Sequence, residues 1–208
     1  MSDNITTIKS EKGARLPVQG RSAARMAKVI EAAGRMLEEV GPEKTSIPAL
    51  AEATGVPRAA IYPFFPDKYA LFSHLARIHM GRLMSALATS KVKRARSWQT
   101  WVEEAVKAAA DYYNAHPAAR ILLLRGSFTD DDRDAHAAKN VVIGGLLRAR
   151  MASWGTFRKL PQKPDVAAIA VELAFACMKH GYLQEGRISP AICREATRAV
   201  LAYIGQWE

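Results

Sequence analysis

Cysteine is scarce in this sequence, and long apolar runs are missing. Two cysteines in 208 residues, Cys177 and Cys193, are too few for a disulfide framework, and we interpret both as small hydrophobic side chains of the interior. No apolar run reaches the roughly 18–20 residues that a membrane span needs. The first twenty residues contain no apolar core of the kind found in secretory signal peptides. These absences predict a cytoplasmic protein that does not interact with a membrane.

The sequence also lacks the residue patterns of a catalytic or metal-binding site. No spacing of His, Cys, Asp and Glu matches a metal ligand set, and His74 and His79, five residues apart, do not share one helix face. There is no glycine-rich phosphate loop, and no Ser/His/Asp or Cys/His signature can be named. We therefore predict no catalytic residue, no metal, no cofactor and no enzyme activity.

Positive charge is abundant but is not concentrated in one region. The formal net charge is +10. Residues 1–80 carry 11 Lys and Arg against 8 Asp and Glu, whereas residues 81–208 carry 19 against 12. A basic balance is compatible with nucleic acid, with an acidic ligand or with solubility alone. The charge therefore supports a function in DNA binding only weakly.

The N-terminal third contains a succession of helical segments separated by turn signals. Residues 1–20 lack periodicity and are interpreted as a flexible tail. A helical pattern begins at Ser22 and stops at Gly41, and a short helix follows with Thr45 or Ser46 as its cap. A turn at Gly55 leads into a very short helix that Pro63 limits. Two short helices joined by a tight turn with Gly are the pattern of a helix-turn-helix, whose second helix enters the major groove.

This segment resembles the DNA-binding head of the tetracycline-repressor (TetR/AcrR) family of bacterial regulators. Order and spacing both match the family pattern over about a quarter of the chain. The matching residues are Gly41, Thr45-Ser46, Leu50-Ala51, Gly55-Val56, Ile61-Tyr62, Phe65, Lys68 and Ala70-Leu71. The resemblance implies a homodimeric, ligand-responsive transcription regulator, more often a repressor than an activator.

The resemblance also implies which residues contact DNA. Thr45, Ser46, Tyr62 and Lys68 would contact phosphates, and Arg58 would read a base, because Arg pairs bidentately with guanine. Ala59 and Ala60 complete the predicted DNA-binding set. The chain departs from the family at Pro57, at Ala59-Ala60 and at Pro63, where polar residues are usual. Operator specificity would then depend on Arg58, on apolar contacts and on DNA shape.

The remaining sequence predicts an all-helical body in which residues 97–208 form five helices. The helix beginning near Asp165 is apolar on two opposite faces, so both faces need a cover. We predict that one face and part of the last helix form a dimer interface with a second copy. The predicted interface residues are Val171, Phe175, Met178, Tyr182, Ala196, Val200 and Tyr203.

Aromatic residues in the body predict a pocket for an apolar or aromatic effector. We place it near Trp101, Tyr112, Phe128 and Trp154, because ligand pockets are mostly apolar and lie between helices in bundles. The predicted polar contact of the effector is Arg125 or His180.

The expected organisation is thus all-α, with a tail over residues 1–20, a DNA-binding head over 21–66 and an effector and dimerisation domain over 67–208. The expected partners are double-stranded operator DNA, a small effector and a second copy of the chain. Two alternatives from other classes stay open. One is a helical carrier or enzyme that does not bind DNA, and the other is a nonspecific architectural DNA binder.

Overall fold

A computed structural model describes residues 20–125, 130–155 and 160–208 of the chain. These three ranges contain ten α-helices and a short 3₁₀ turn at the C-terminus, Gly205–Trp207, which confirms the predicted all-α class. The helices are α1 (Gly20–Lys44), α2 (Ile47–Thr54), α3 (Arg58–Ile61), α4 (Lys68–Leu87), α5 (Ser90–Lys93), α6 (Trp98–Ala115), α7 (Pro117–Leu123), α8 (Asp130–Ser153), α9 (Val166–Glu185) and α10 (Pro190–Ile204).

Glycine and proline divide the first helix from the second. Gly41 interrupts α1 with φ 79° and ψ 172°, a conformation that glycine adopts without steric cost. The side-chain hydroxyl of Thr45 donates a 2.8 Å hydrogen bond back to the carbonyl oxygen of Gly41. Ser46 then caps α2, because its Oγ accepts a hydrogen bond from the backbone N–H of Ala49. The chain therefore turns sharply between α1 and α2.

A second glycine ends α2 and leads the chain into α3. Gly55 ends α2 in the left-handed conformation, with φ 68°. Beyond it, α3 has one turn, and Ile61 and Phe65 anchor that turn in the core with no exposed surface. The core of the three helices also contains Val29 and Leu37 of α1. A one-turn helix is stable here because its buried side chains, and not its own hydrogen bonds, hold it.

Helix α4 connects this three-helix unit to the rest of the molecule. Asp67 caps it by accepting a 2.8 Å hydrogen bond from the backbone N–H of Ala70. Only six residues separate the end of α3 from the first turn of α4. The last turn of α4 ends at Leu87, which is buried in the body. Helix α4 therefore runs from the turn after α3 to the interior of the body.

Two glycines bring the body helices into close contact. A Cβ atom on Gly144 of α8 would lie 2.7 Å from the backbone nitrogen of Ala168 on α9. A Cβ atom on Gly181 of α9 would lie equally close, 2.7 Å, to the side chain of Ile192 on α10. Helix α9 is therefore packed between α8 near its start and α10 near its end.

Two features of the body were not predicted from the sequence. The basic segment after α4 begins with a short helix, α5, whose Val92 is buried. Helix α9 is also long and apolar enough, with a mean hydropathy of 1.4, to cross a membrane by length and composition. A core helix of this composition passes the same test, and α9 packs against α8 and α10. Because only a third of this segment is buried, α9 retains an open apolar side.

Candidate functional site

The outer surface of α3 carries a small set of exposed side chains. Arg58, Ala59 and Tyr62 are exposed, the last to 44%. Ala60, also predicted to contact DNA, is only half-exposed and packs against the core. Because Ile61 faces the interior, the opposite side of α3 is free to meet a large surface such as a DNA groove. Arg58 supplies that side with a cation.

Thr45 does not belong to this surface. Its side chain has no exposed area, and its hydroxyl is used in the hydrogen bond to Gly41. A buried hydroxyl cannot reach a phosphate, so the predicted DNA contact of Thr45 is wrong. Ser46, its neighbour, is half-exposed and caps α2, and its contact with phosphate stays a prediction.

Lys68 has a partner within the chain. Its ammonium group donates a 3.1 Å hydrogen bond to the carbonyl oxygen of Pro42 and a longer one, 3.5 Å, to that of Glu43. These carbonyls belong to the last turn of α1, where a cation is favoured by the helix dipole. The lysine at the start of α4 therefore has an explanation that needs no phosphate.

A cavity that is partly open to solvent lies in the body between α4, α6, α8, α9 and α10. Its volume, counted as the space open to the centre of a water-sized sphere, is about 60 Å³. Among the residues that the structure describes, every lining side chain is apolar, and none carries a charge. Trp101 and Phe175 contribute rings, whereas Ala109 and Ala174 leave space because their side chains are short. Such a cavity favours an apolar occupant.

The other predicted effector residues lie elsewhere, with Phe128 outside the described ranges. Tyr112 is buried but does not line the cavity. The guanidinium of Arg150 lies 5.0 Å from the ring centre of Trp154. Arg125 forms an exposed ion pair with Glu43, and His180 is exposed. The prediction of Arg125 and His180 as polar contacts in the cavity is therefore wrong.

The predicted interface face of α9 points inward. Four of the seven interface residues are buried within the chain, so for them the prediction is wrong: Val171, Met178, Ala196 and Val200. Phe175 lines the cavity and packs edge-on against Tyr113 at 6.0 Å. Tyr182 lies under the guanidinium of Arg120, and Tyr203 packs against Trp207 at 5.0 Å. For these last two, a place in an interface stays a prediction.

The open apolar surface of the body lies on α8 and on the other face of α9. Large hydrophobic side chains are exposed there by 36–56%: Val141, Val142, Leu146, Ile169 and Leu183. The sequence showed that α9 has two apolar faces, but not which of them the rest of the chain covers. The face predicted to meet a second copy is covered by the chain itself, and the other face is open.

A buried polar cluster that the sequence did not reveal lies where α4, α6 and α7 meet. Nδ1 of His79 and the hydroxyl of Tyr112 share a 2.8 Å hydrogen bond. His116 lies at the junction of α6 and α7. Its ring centre is 4.5 Å from the ring centre of Tyr112 and 6.0 Å from the ring centre of His79. Burial, together with the nearby Arg82 and His116, lowers the pKa of His79 from 6.5 to about 4. The His79 ring is therefore neutral at pH 7.

The N-terminal segment matches known regulatory proteins. Residues 29–75 match the family described as bacterial regulatory proteins, tetR family. Over 67 residues the chain is 40% identical to the HTH-type transcriptional repressor Rv1474c of Mycobacterium tuberculosis (strain ATCC 25618 / H37Rv), a match that covers 32% of this chain and 35% of that repressor. The matched part is thus about a third of the repressor's length.

The whole fold is similar to that of solved bacterial regulators. The fatty acid degradation regulator FadR from Bacillus halodurans superposes with a TM-score of 0.68 at 15% identity, over 89% of this chain and 97% of that one. A TetR-family transcriptional regulator from Streptomyces coelicolor superposes with a TM-score of 0.65 at 22% identity, over 88% and 99% of the two chains. At these identities the likeness establishes the fold.

Proposed function

Because the chain belongs to the TetR family of bacterial regulatory proteins, we propose that it is a cytoplasmic transcription regulator without catalytic activity. It binds operator DNA as a homodimer and is released by a small apolar effector, which makes it a repressor. Residues 21–66 form its DNA-binding domain, and residues 67–208 bind the effector and the second subunit. The exposed face of α3 with Arg58, held rigidly by buried Ile61, is the observation that carries this proposal.

The helix arrangement supports binding in the major groove. Helix α3 follows α2 after the Gly55 turn and exposes its outer side, as the second helix of a helix-turn-helix does. Arg58 can pair with O6 and N7 of guanine, and Tyr62 can donate its hydroxyl to a phosphate. Two such heads in a symmetric dimer read two half-sites about one helical turn apart, roughly 34–36 Å, or a multiple of it.

The cavity supports an effector that is apolar and uncharged in the part that enters the protein. A charged group would lose its hydration there without gaining a charged partner among the described lining residues. A group the size of a water molecule needs roughly 10–15 Å³. The cavity as observed therefore has space for only a few groups of this size. A larger effector has to push the helices apart, and Leu87 at the end of α4 is one of the residues in its path. Displacing α4 changes the separation of the two heads.

The open apolar surface supports the homodimer. An exposed helix face with large apolar side chains is stabilised when a partner covers it, and symmetric dimers bury the same patch on both subunits. In the revised proposal, Ile169 and Leu183 on the open side of α9 contact the second copy, in place of the buried residues.

Footprinting on the DNA beside the protein's own gene tests the proposal. We expect protection of a near-palindrome, and release on addition of apolar compounds that quench tryptophan fluorescence. A carrier or enzyme would give no footprint, whereas an architectural binder would protect DNA without sequence preference. Either result would reject the regulator function.

A further inference from the structure

The exposed side of α3 and of the turn after it consists of two different pairs of side chains. Arg58 and Tyr62 are four residues apart, and residues at this spacing lie next to each other on a helix. Ala59 and Pro63 have the same spacing, with Pro63 in the turn that follows α3. The turn continues through Tyr62, because its N–H donates to the carbonyl oxygen of Arg58 at 3.0 Å and it retains helical φ and ψ. Ala59 and Pro63 are both exposed on the side away from buried Ile61.

Only one of the two pairs can form hydrogen bonds. Arg58 offers five N–H donors and Tyr62 a hydroxyl, whereas the side chains of Ala59 and Pro63 offer neither donor nor acceptor, and Pro63 also lacks a backbone N–H. A polar base edge pressed against Ala59 and Pro63 would lose its water without replacement, at a cost in free energy. The major-groove feature that needs no hydrogen bond is the C5-methyl group of thymine.

We propose that Ala59 and Pro63 select thymine in each operator half-site through its C5-methyl group, next to a guanine that Arg58 selects. The inference rests on the proposed function, since it requires α3 to lie in the major groove. It adds the chemistry of the recognised bases: this chain distinguishes thymine from a thymine without its methyl group, which pairs identically with adenine.

Deoxyuridine substitution measures this distinction directly. The operator is first isolated by selecting duplexes that the full-length protein retains from a random pool. Each thymine is then replaced singly by deoxyuridine, and Kd is measured at fixed salt, since affinity for DNA depends on salt. We expect one or two positions per half-site at which Kd rises about fourfold, the effect of burying one methyl group. Substituting both half-sites together should raise Kd about sixteenfold.

Variants at α3 assign the contact to its residues. In Ala59→Gly, and in Ala59→Ser, which retains more helix propensity than Gly, deoxyuridine at one of these positions should raise Kd less than twofold. At the other positions it should raise Kd by the same factor as in the unsubstituted protein. Pro63→Ser should act in the same way at a neighbouring position. Ala202→Gly, an exposed site on α10, is the control and should leave every factor unchanged.

The results separate this inference from the proposed function. If selection yields no preferred sequence, operator binding itself is rejected. If an operator is found but deoxyuridine is tolerated at every position, methyl recognition is overturned. It is also overturned for these residues if the factors persist undiminished in the Ala59 and Pro63 variants.

Discussion

The carboxylate of Glu38 on α1 accepts a 3.1 Å hydrogen bond from the backbone N–H of Ala118 in the first turn of α7. This contact joins α1 of the DNA-binding unit to α7 of the body. It satisfies a free N–H of a helix start and places a negative charge where the helix dipole favours one. Helix α7 follows α6, which lines the cavity, and we therefore predict that Glu38 contributes to coupling between the cavity and α3.

Removing this carboxylate should loosen the junction. We expect Glu38→Ala to lower the free energy of unfolding by roughly 1 kcal/mol, and to weaken the effect of an apolar effector on operator affinity. Chemical denaturation and fluorescence anisotropy with labelled operator measure the two effects. Glu39→Ala, at the adjacent exposed position, is the matched control. Equal effects of the two substitutions would contradict a specific role of Glu38.

Arg58 and Lys68 should behave differently although both are cations near the proposed DNA surface. Arg58→Ala should cost about 1–3 kcal/mol of operator binding and relax the preference at one base position. Lys68→Met removes the hydrogen bonds to the end of α1 and should mainly reduce stability, by roughly 1 kcal/mol. Binding to a set of single-base operator variants, with parallel unfolding curves, distinguishes them. Uniform weakening on every sequence by Arg58→Ala would remove its role in base reading.

Local signals explain why the DNA-binding unit could be predicted from the sequence. Ser46 and Gly55 act within a few residues of their own positions, as a cap and a turn, and each lies in the structure where the pattern placed it. The error at Thr45 concerns tertiary packing, because its burial and its hydrogen bond to Gly41 are not visible in a local pattern. The hydrogen bonds of Lys68 to carbonyls of α1 likewise depend on tertiary structure, and its contact with phosphate stays a prediction.

The body was less predictable for the same reason. Helix α9 has apolar residues on both sides, and periodicity alone cannot decide which side the chain covers. Nor does a sequence show a cavity, because the space beside Ala109 and Ala174 depends on how closely the neighbouring helices approach. The contact of α9 with α8 at Gly144 sets part of that distance.

The buried histidine predicts a pH dependence of stability. The pKa of His79 is lowered from 6.5 to about 4, so between these values the unfolded chain binds a proton that the folded chain does not. The contribution of the neutral ring to the free energy of unfolding is therefore complete above pH 6.5. As the pH falls towards 4 this contribution is lost, and the free energy of unfolding falls by up to about 3 kcal/mol. In His79→Gln, the slope of unfolding free energy against pH should be smaller in this window. An unchanged slope in urea titrations would contradict it.

The open side of α9 predicts where a charge disrupts assembly. Leu183 is 56% exposed in the single chain, and Leu183→Glu should place two like charges in the proposed interface, giving folded monomers with reduced operator affinity. Gln184→Glu introduces the same charge at the next exposed position and should remain dimeric if that side chain stays in solvent. Light scattering decides between these results. A Leu183→Glu protein that is still dimeric would place the interface elsewhere.

Filling the cavity should separate effector binding from folding. Ala109 is buried on α6 and lines the cavity, so Ala109→Leu adds three carbons to existing space. The change in the free energy of unfolding should therefore be smaller than the usual cost of overpacking, which is about 1–3 kcal/mol. The larger side chain occupies the effector's place, and operator release by apolar compounds should be lost while operator affinity is retained. Trp101, also in the lining, reports occupancy, and Trp101→Phe identifies its share of the fluorescence change. Release that persists in a folded Ala109→Leu protein would show that the effector binds at another site.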